Sequence, residues 1–172
     1  METRTVAWQY ERSFFAFITF ISLIFWSVPG ASQGRAVPLE ERAHDSDQVV
    51  VATVTSLTPR WATNEFGDRL IVSRVSLRIE ETLKGIPIAA APMDLEGGTL
   101  DGLTLRVSSL PALVPGERGV FFLNARSGGV YHPHLAGQGI LKLDDADLVR
   151  GSTLSLATVR SLVRQAAVGV QR

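Results

Sequence analysis

The 172 residues carry 17 Lys plus Arg against 17 Asp plus Glu, for a formal net charge of zero. That balance argues against nucleic acid as a partner, because neutralising phosphates takes a clustered cationic excess, and it supplies no long-range pull toward an anionic membrane. Cysteine is absent, which excludes a disulfide framework, a thiolate zinc site and a cysteine nucleophile, so the apolar core of what reads as one domain must hold it together.

Residues 14–28, FFAFITFISLIFWSV, form an uncharged apolar run behind Arg4 and Arg12, and Pro29-Gly30 and the small Ala31, Ser32 and Gly34 follow it. The pattern predicts a signal peptide over 1–31, since crossing a bilayer takes about 20 apolar residues. The bulky residues and Pro29 near the cut keep an uncleaved anchor over 14–28 as the alternative. Either way the chain is expected to be exported, periplasmic or extracellular, touching membrane only through this segment. Residues 32–38 read as a flexible leader.

Within 38–48, Pro38 stands at a tolerated first helical position with acidic residues in the first turn, which suits a short helix. QVVVATVTSLTPR, 48–60, is a first strand rich in β-branched residues. WATNEFGDRL, 61–70, holds Asn64, Gly67 and Asp68 and reads as a hairpin connection. VSLRIEETLKG, 75–85, closes a long second strand from about Leu70 to Leu83; there Glu81 takes an apolar slot, so a bulge is expected to turn it to solvent or toward Arg118. A weaker strand over 88–98 contains Pro92, which requires an edge or a bulge.

LTLRVSS, 103–109, alternates as another strand, and 110–119 with Pro115-Gly116 is a loop. GVFFLNA, 119–125, is continuously apolar and should be a central strand buried on both sides. GQGILKLDD, 137–145, alternates once more. Leu156, Val159, Leu162, Val163 and Ala166 recur at helical spacing behind the polar Ser152–Ser155, an amphipathic helix with an N-cap. These elements give a mainly all-β chain: a small OB-like barrel of five or six strands over 39–150, with a short N-terminal helix and a C-terminal helix over 151–172 packed on it.

The order SDQVVVATVTSL, VSLRIEETLKG, LPALVPGERGVFFL, LAGQGILKL is similar to a group of uncharacterised exported bacterial proteins, and resembles the OB-type barrel of netrin modules and tissue inhibitors of metalloproteinases. Leu83-Lys84-Gly85, Pro115-Gly116-Glu117-Arg118 and Gly137-Gln138-Gly139 are its most specific pieces, within about 39–165. The resemblance implies a fold and export, and brings no activity. Inhibitors of that fold chelate the protease zinc through an amino-terminal cysteine, which this chain lacks.

Candidate chemistry is sparse. His132 and His134 flank Pro133 two positions apart, so in a strand both imidazoles share a face; a zinc site would still need a third ligand, with His44 or Asp144 available. Asp144, Asp145 and Asp147 lack the spacing of a calcium loop and read as a solvated turn. No Gly-x-Ser-x-Gly elbow occurs, Ser127-Gly128-Gly129 is a turn, and Gly137-Gln138-Gly139 reads as a tight bend where backbones approach. No cofactor and no catalytic residue are predicted. Trp61 and Phe66 flank the loop between the first two strands, which OB barrels use for ligands; they and Arg118 are the candidates for contact with a protein partner. The expected function is an interaction module of the cell envelope. The alternatives are an inhibitor or accessory partner of an exported protease, and a hydrolase or metal-dependent enzyme, which the missing nucleophile-and-base set disfavours.

Overall fold

The computed structural model describes residues 36–168 apart from residue 65; the predicted signal segment and residues 32–35 of the predicted leader lie outside that range. In chain order the elements are α1 (Leu39–Asp45), β1 (Gln48–Thr63), β2 (Arg69–Lys84), β3 (Ala90–Glu96), β4 (Gly98–Leu100), β5 (Leu103–Leu105), β6 (Arg118–Arg126), β7 (Val130–Pro133), a 3-10 turn (Ala136–Gly139), β8 (Ile140–Lys142) and α2 (Leu156–Val168).

The strands close on themselves. β1 pairs antiparallel with β2, and its first half also pairs with β6 along the opposite edge. The ring runs β1-β2-β3-β7-β6 and back to β1, with β8 lying beside β6 ahead of β7. This is the small OB-like barrel of the sequence reading.

The unbroken apolar runs of β1 and β6 follow from burial on two sides. Val50, Ala52, Val54, Phe121 and Leu123 point inward with Val75, Leu77, Met93 and Leu95. Val49, Val51, Val120 and Phe122 point outward and are covered by Ala43 of α1 and by Leu156, Val159 and Val163 of α2. Alternate side chains therefore meet the barrel interior and a helical layer. The Ser155 hydroxyl accepts the Thr158 N–H at 3.2 Å and caps α2, as the polar start of that segment suggests.

Several boundaries move. β1 runs on to Thr63 and β2 begins at Arg69, so the predicted connection over 61–70 shrinks to the turn at 64–68. Of the predicted strand 103–109 only Leu103–Leu105 is extended, paired to an unanticipated β4. The connection is Asp101-Gly102, both at positive φ (52° and 75°), the two-residue turn that asparagine or aspartate before glycine favours.

The bulge expected near Glu81 is present. Val51 pairs with Glu81 and Ala52 with Ile79, which leaves Glu80 as the extra residue. Glu81, expected to be mostly exposed, is half-buried, and its partner is Arg160 of α2 rather than Arg118. Arg160 Nε and Nη2 both reach Glu81 Oε2, at 2.8 and 2.7 Å. The helix packs over this end of β2, which the local sequence pattern does not encode.

The three short motifs each tie a peripheral segment to the barrel. Lys84 Nζ donates to the carbonyls of Ala43, His44 and Ser46 at 2.8, 2.7 and 2.6 Å, closing the C-terminal end of α1. Glu117 is held by Lys142 Nζ at 2.8 Å, Arg150 Nη1 at 3.2 Å and the Val114 N–H at 3.0 Å. Partial burial works to raise the Glu117 carboxyl, and these donors outweigh it and keep it below the usual range. Gln138 accepts the Val37 N–H at its side chain and Arg42 Nη1 at its carbonyl, 2.9 and 2.7 Å. Gly137 and Gly139 sit where a Cβ would strike backbone, that of Ser109 in one case and of His134 and Phe122 in the other.

Candidate functional site

The long β1–β2 hairpin reaches past the barrel and ends in a turn ordered by one side chain. Asn64 Oδ1 accepts the N–H groups of Phe66 and Asp68 at 3.0 and 2.8 Å, while Asn64 Nδ2 donates to the Asp68 carboxylate at 3.2 Å. Phe66 is held at the tip of this turn, 80% exposed. Trp61 lies behind it, half-buried. Its Nε1–H donates to Asp101 Oδ2 at 2.9 Å and the Arg69 guanidinium lies 4.2 Å from the ring centroid. The Asp101-Gly102 turn thus buttresses the hairpin. The Asp-Gly pair is the signal in the sequence that identifies this support.

Arg118, the third partner-contact candidate, is turned to other work. Its Nε donates to Glu80 Oε2 at 2.6 Å and its Nη1 to Asp147 Oδ1. Thr53 Oγ1 donates to the other Glu80 oxygen at 2.5 Å. Burial tends to raise the Glu80 carboxyl, and the Thr53 and Arg118 bonds overcome it and hold it low. Arg118 therefore bridges β2, β6 and the turn before α2, away from Trp61 and Phe66.

A cleft of about 490 Å³ opens beside the base of the hairpin, within the usual range for ligand clefts. Arg60, Ala62 and Val72 of β1 and β2, Asp94, Leu95 and Glu96 of β3, Leu110 of the following loop, and Arg126, His132 and Pro133 of β6 and β7 line it. Asp94 is shared by Arg60 Nη2 at 2.7 Å and Arg74 Nε at 2.5 Å. Arg126 and Glu96 have no ion-pair partner among the described residues. The loop residues that line this cleft belong to the segment read as strand 103–109 and loop 110–119, so the sequence reading did not find it.

Of the histidine pair only His132 lines the cleft. His134 Nδ1 instead meets Asn124 Nδ2 at 3.1 Å, and His44 Nδ1 meets Asp45 at the exposed end of α1. Asp144 Oδ1 caps its own turn by accepting the N–H groups of Ala146 and Leu148 at 2.9 and 2.8 Å. No group of three or more His, Asp or Glu side chains placed to hold a metal occurs among the described residues. The third ligand that the histidine pair would need is not brought to it.

His132 Nδ1 is buried and has no hydrogen-bond partner among the described residues. Burial, reinforced by the charge of Arg126, pushes the imidazole below its ordinary value of 6.5. Its contribution to stability is then fully present above pH 6.5 and is lost as pH falls through the lowered folded value, because the unfolded chain takes up the proton first. Urea midpoints should decline between pH 7 and 5, and His132→Gln should flatten that part of the profile. An unchanged slope in the variant would show that His132 does not carry it.

Scanned against protein-family models the chain matches none, and no curated protein matches it in sequence. Among the described residues no helix is long and apolar enough to cross a membrane.

Proposed function

We propose that this chain is an interaction module of the cell envelope, exported by its N-terminal apolar segment and working through the hairpin tip and the cleft beside it. The observation that carries this reading is the ordered presentation of Phe66. A large apolar ring stands 80% exposed on a turn fixed by three hydrogen bonds from one asparagine side chain. Leaving such a ring in water forgoes roughly 1.5–3 kcal/mol of burial free energy, and a rigid aromatic anchor next to a cleft is the arrangement that interface hot spots use. The inhibitor reading gains no comparable support, since the chain has no cysteine to place on a protease zinc.

Site-specific photo-crosslinking in the producing cell tests this. A photoreactive phenylalanine at position 66 is expected to give a discrete adduct that the same residue at the exposed position 41 on α1 does not. An identical set of adducts from both positions, or none from 66, would refute the reading.

A further inference from the structure

The cleft beside the hairpin has a neighbour. A second cleft of about 470 Å³ lies against β4 and β5, and Leu95, Glu96, Val107 and Leu110 line both. Val107 and Leu110 thus stand in a partition between the two. They belong to the segment 106–112, which follows β5 and forms no strand. Its backbone–backbone hydrogen bonding among the described residues is a single internal bond, Leu110 N–H to Val107 O at 3.0 Å. Beyond that, Lys142 Nζ donates to the Ala112 carbonyl, and the Ser109 carbonyl sits against Gly137. The segment is a strap across the barrel, held mainly by Leu110, which packs on the inner core.

The second cleft asks for an apolar occupant. Leu57, Leu95, Leu105, Leu110 and Leu113 line it, and four of these belong to the inner core or pack on it, so the cleft opens on the barrel interior. Its polar side chains are largely spent on the protein itself. Ser73 Oγ donates to Gly97 O at 2.7 Å, and the Thr99 and Thr104 hydroxyls bond each other at 2.9 Å. A hydrocarbon chain leaves such paired groups undisturbed, whereas a polar body would give up its own hydrogen bonds to water without replacing them.

Charge sits at the rims. Arg106 lines the second cleft and Arg126 the first; both are exposed and neither has an ion-pair partner among the described residues. Of the two carboxylates lining the clefts, Asp94 is matched by Arg60 and Arg74, which leaves Glu96 alone. Two unmatched guanidiniums against one unmatched carboxylate leave a positive surplus.

We infer that the two clefts form one ligand site at the barrel mouth, divided by the 106–112 strap, and that it takes a small amphipathic acid. The hydrocarbon chain lies among the leucines and the carboxylate pairs with Arg106. Barrel mouths lined by apolar side chains with a few polar groups at fixed places are common sites for small ligands, and a guanidinium holds a carboxylate through two parallel bonds. An amine of the same length would meet two unmatched cations, and an alcohol would leave both unmatched. This goes beyond the interaction-module reading and shares with it only the wall of the cleft beside the hairpin.

Sodium octanoate is the probe, titrated into the exported protein by calorimetry, with octanol and octylammonium as controls of equal chain length. Octanoate should bind at least about tenfold more tightly than octylammonium, and Arg106→Gln should weaken octanoate about five- to tenfold while leaving octanol unchanged. The chain has no cysteine, so Val107→Cys puts a single thiol in the partition. Saturating octanoate should slow maleimide labelling at position 107 at least about fivefold and leave Ser127→Cys, in an exposed turn, unaffected. Absence of octanoate binding, equal affinity for the three probes, or binding that leaves position 107 as open to label as before would each overturn the site. None of these results touches the adduct from position 66, and loss of that adduct with octanoate protection intact would overturn the interaction reading while supporting this one.

Discussion

Gly139→Ala is expected to destabilise the barrel by about 2–4 kcal/mol, although it adds one methyl group. Gly139 is followed directly by β8, and its own φ is unexceptional, so the conformational freedom of glycine is not the issue. The issue is space. A Cβ there would meet the carbonyl and the N–H nitrogen of His134 and the carbonyl of Phe122, all backbone atoms. His134 N–H and Phe122 O are themselves bonded at 2.8 Å. The methyl group therefore either breaks that bond or spreads β7 from β6. Overpacking of this kind costs about 1–3 kcal/mol, and an orphaned buried backbone pair adds about 1 kcal/mol or more. Urea unfolding should show a lower midpoint with an unchanged slope. Gly128→Asn is the control, because nothing lies within reach of a Cβ there and asparagine tolerates its φ of +81°. It should stay within about 0.5 kcal/mol of the parent.

Lys84→Met is the second large effect, with a loss of about 1.5–3 kcal/mol. The ammonium group serves three carbonyls at the end of α1, those of Ala43, His44 and Ser46. A seven-residue helix is too short to persist on its own, and Ala43 is fully buried against the helical layer. Methionine keeps most of the stem volume and removes every donor, leaving the carbonyls to water or to nothing. Lys84→Arg should recover little, because a planar fork does not reproduce three bonds converging on one nitrogen. Backbone amides of α1 should exchange with solvent much faster in Lys84→Met while those of β6 lose protection only by the global amount. Uniform loss across both elements would show that Lys84 holds no separate unit.

Both substitutions fall on motif residues singled out in the sequence, and the structure gives them a shared physical meaning. Lys84, Glu117 and Gln138 hold helices, turns and the leader to the barrel, and Gly85, Gly137 and Gly139 let backbones come close enough for that to happen. Much of the fold was legible for the same reason. The β-branched runs at 48–60 and 70–83 and the apolar run at 119–125 have strong local signals. Pro92, read from sequence as an edge or bulge position, falls where β3 makes no ladder bond to β2. What the sequence could not display is pairing between distant segments. The β4–β5 hairpin was passed over although Asp101-Gly102 marks its turn, because the flanking strands have three residues each. Glu81 meets Arg160 instead of solvent or Arg118 because α2 crosses β2, and crossing is a property of packing. The cleft is invisible in sequence for a related reason. Its walls come from β1, β2, β3, β6, β7 and an irregular loop, segments far apart in the chain that only the fold brings together.

The ordered presentation of Phe66 can be measured without any partner. Amide hydrogen exchange, followed residue by residue by NMR, reads each N–H directly. The N–H groups of Phe66 and Asp68, both accepted by Asn64 Oδ1, should exchange markedly more slowly in the parent protein than in Asn64→Ala. Equal rates in the two proteins would mean that the asparagine does not order the turn, and that Phe66 is not held out as an anchor.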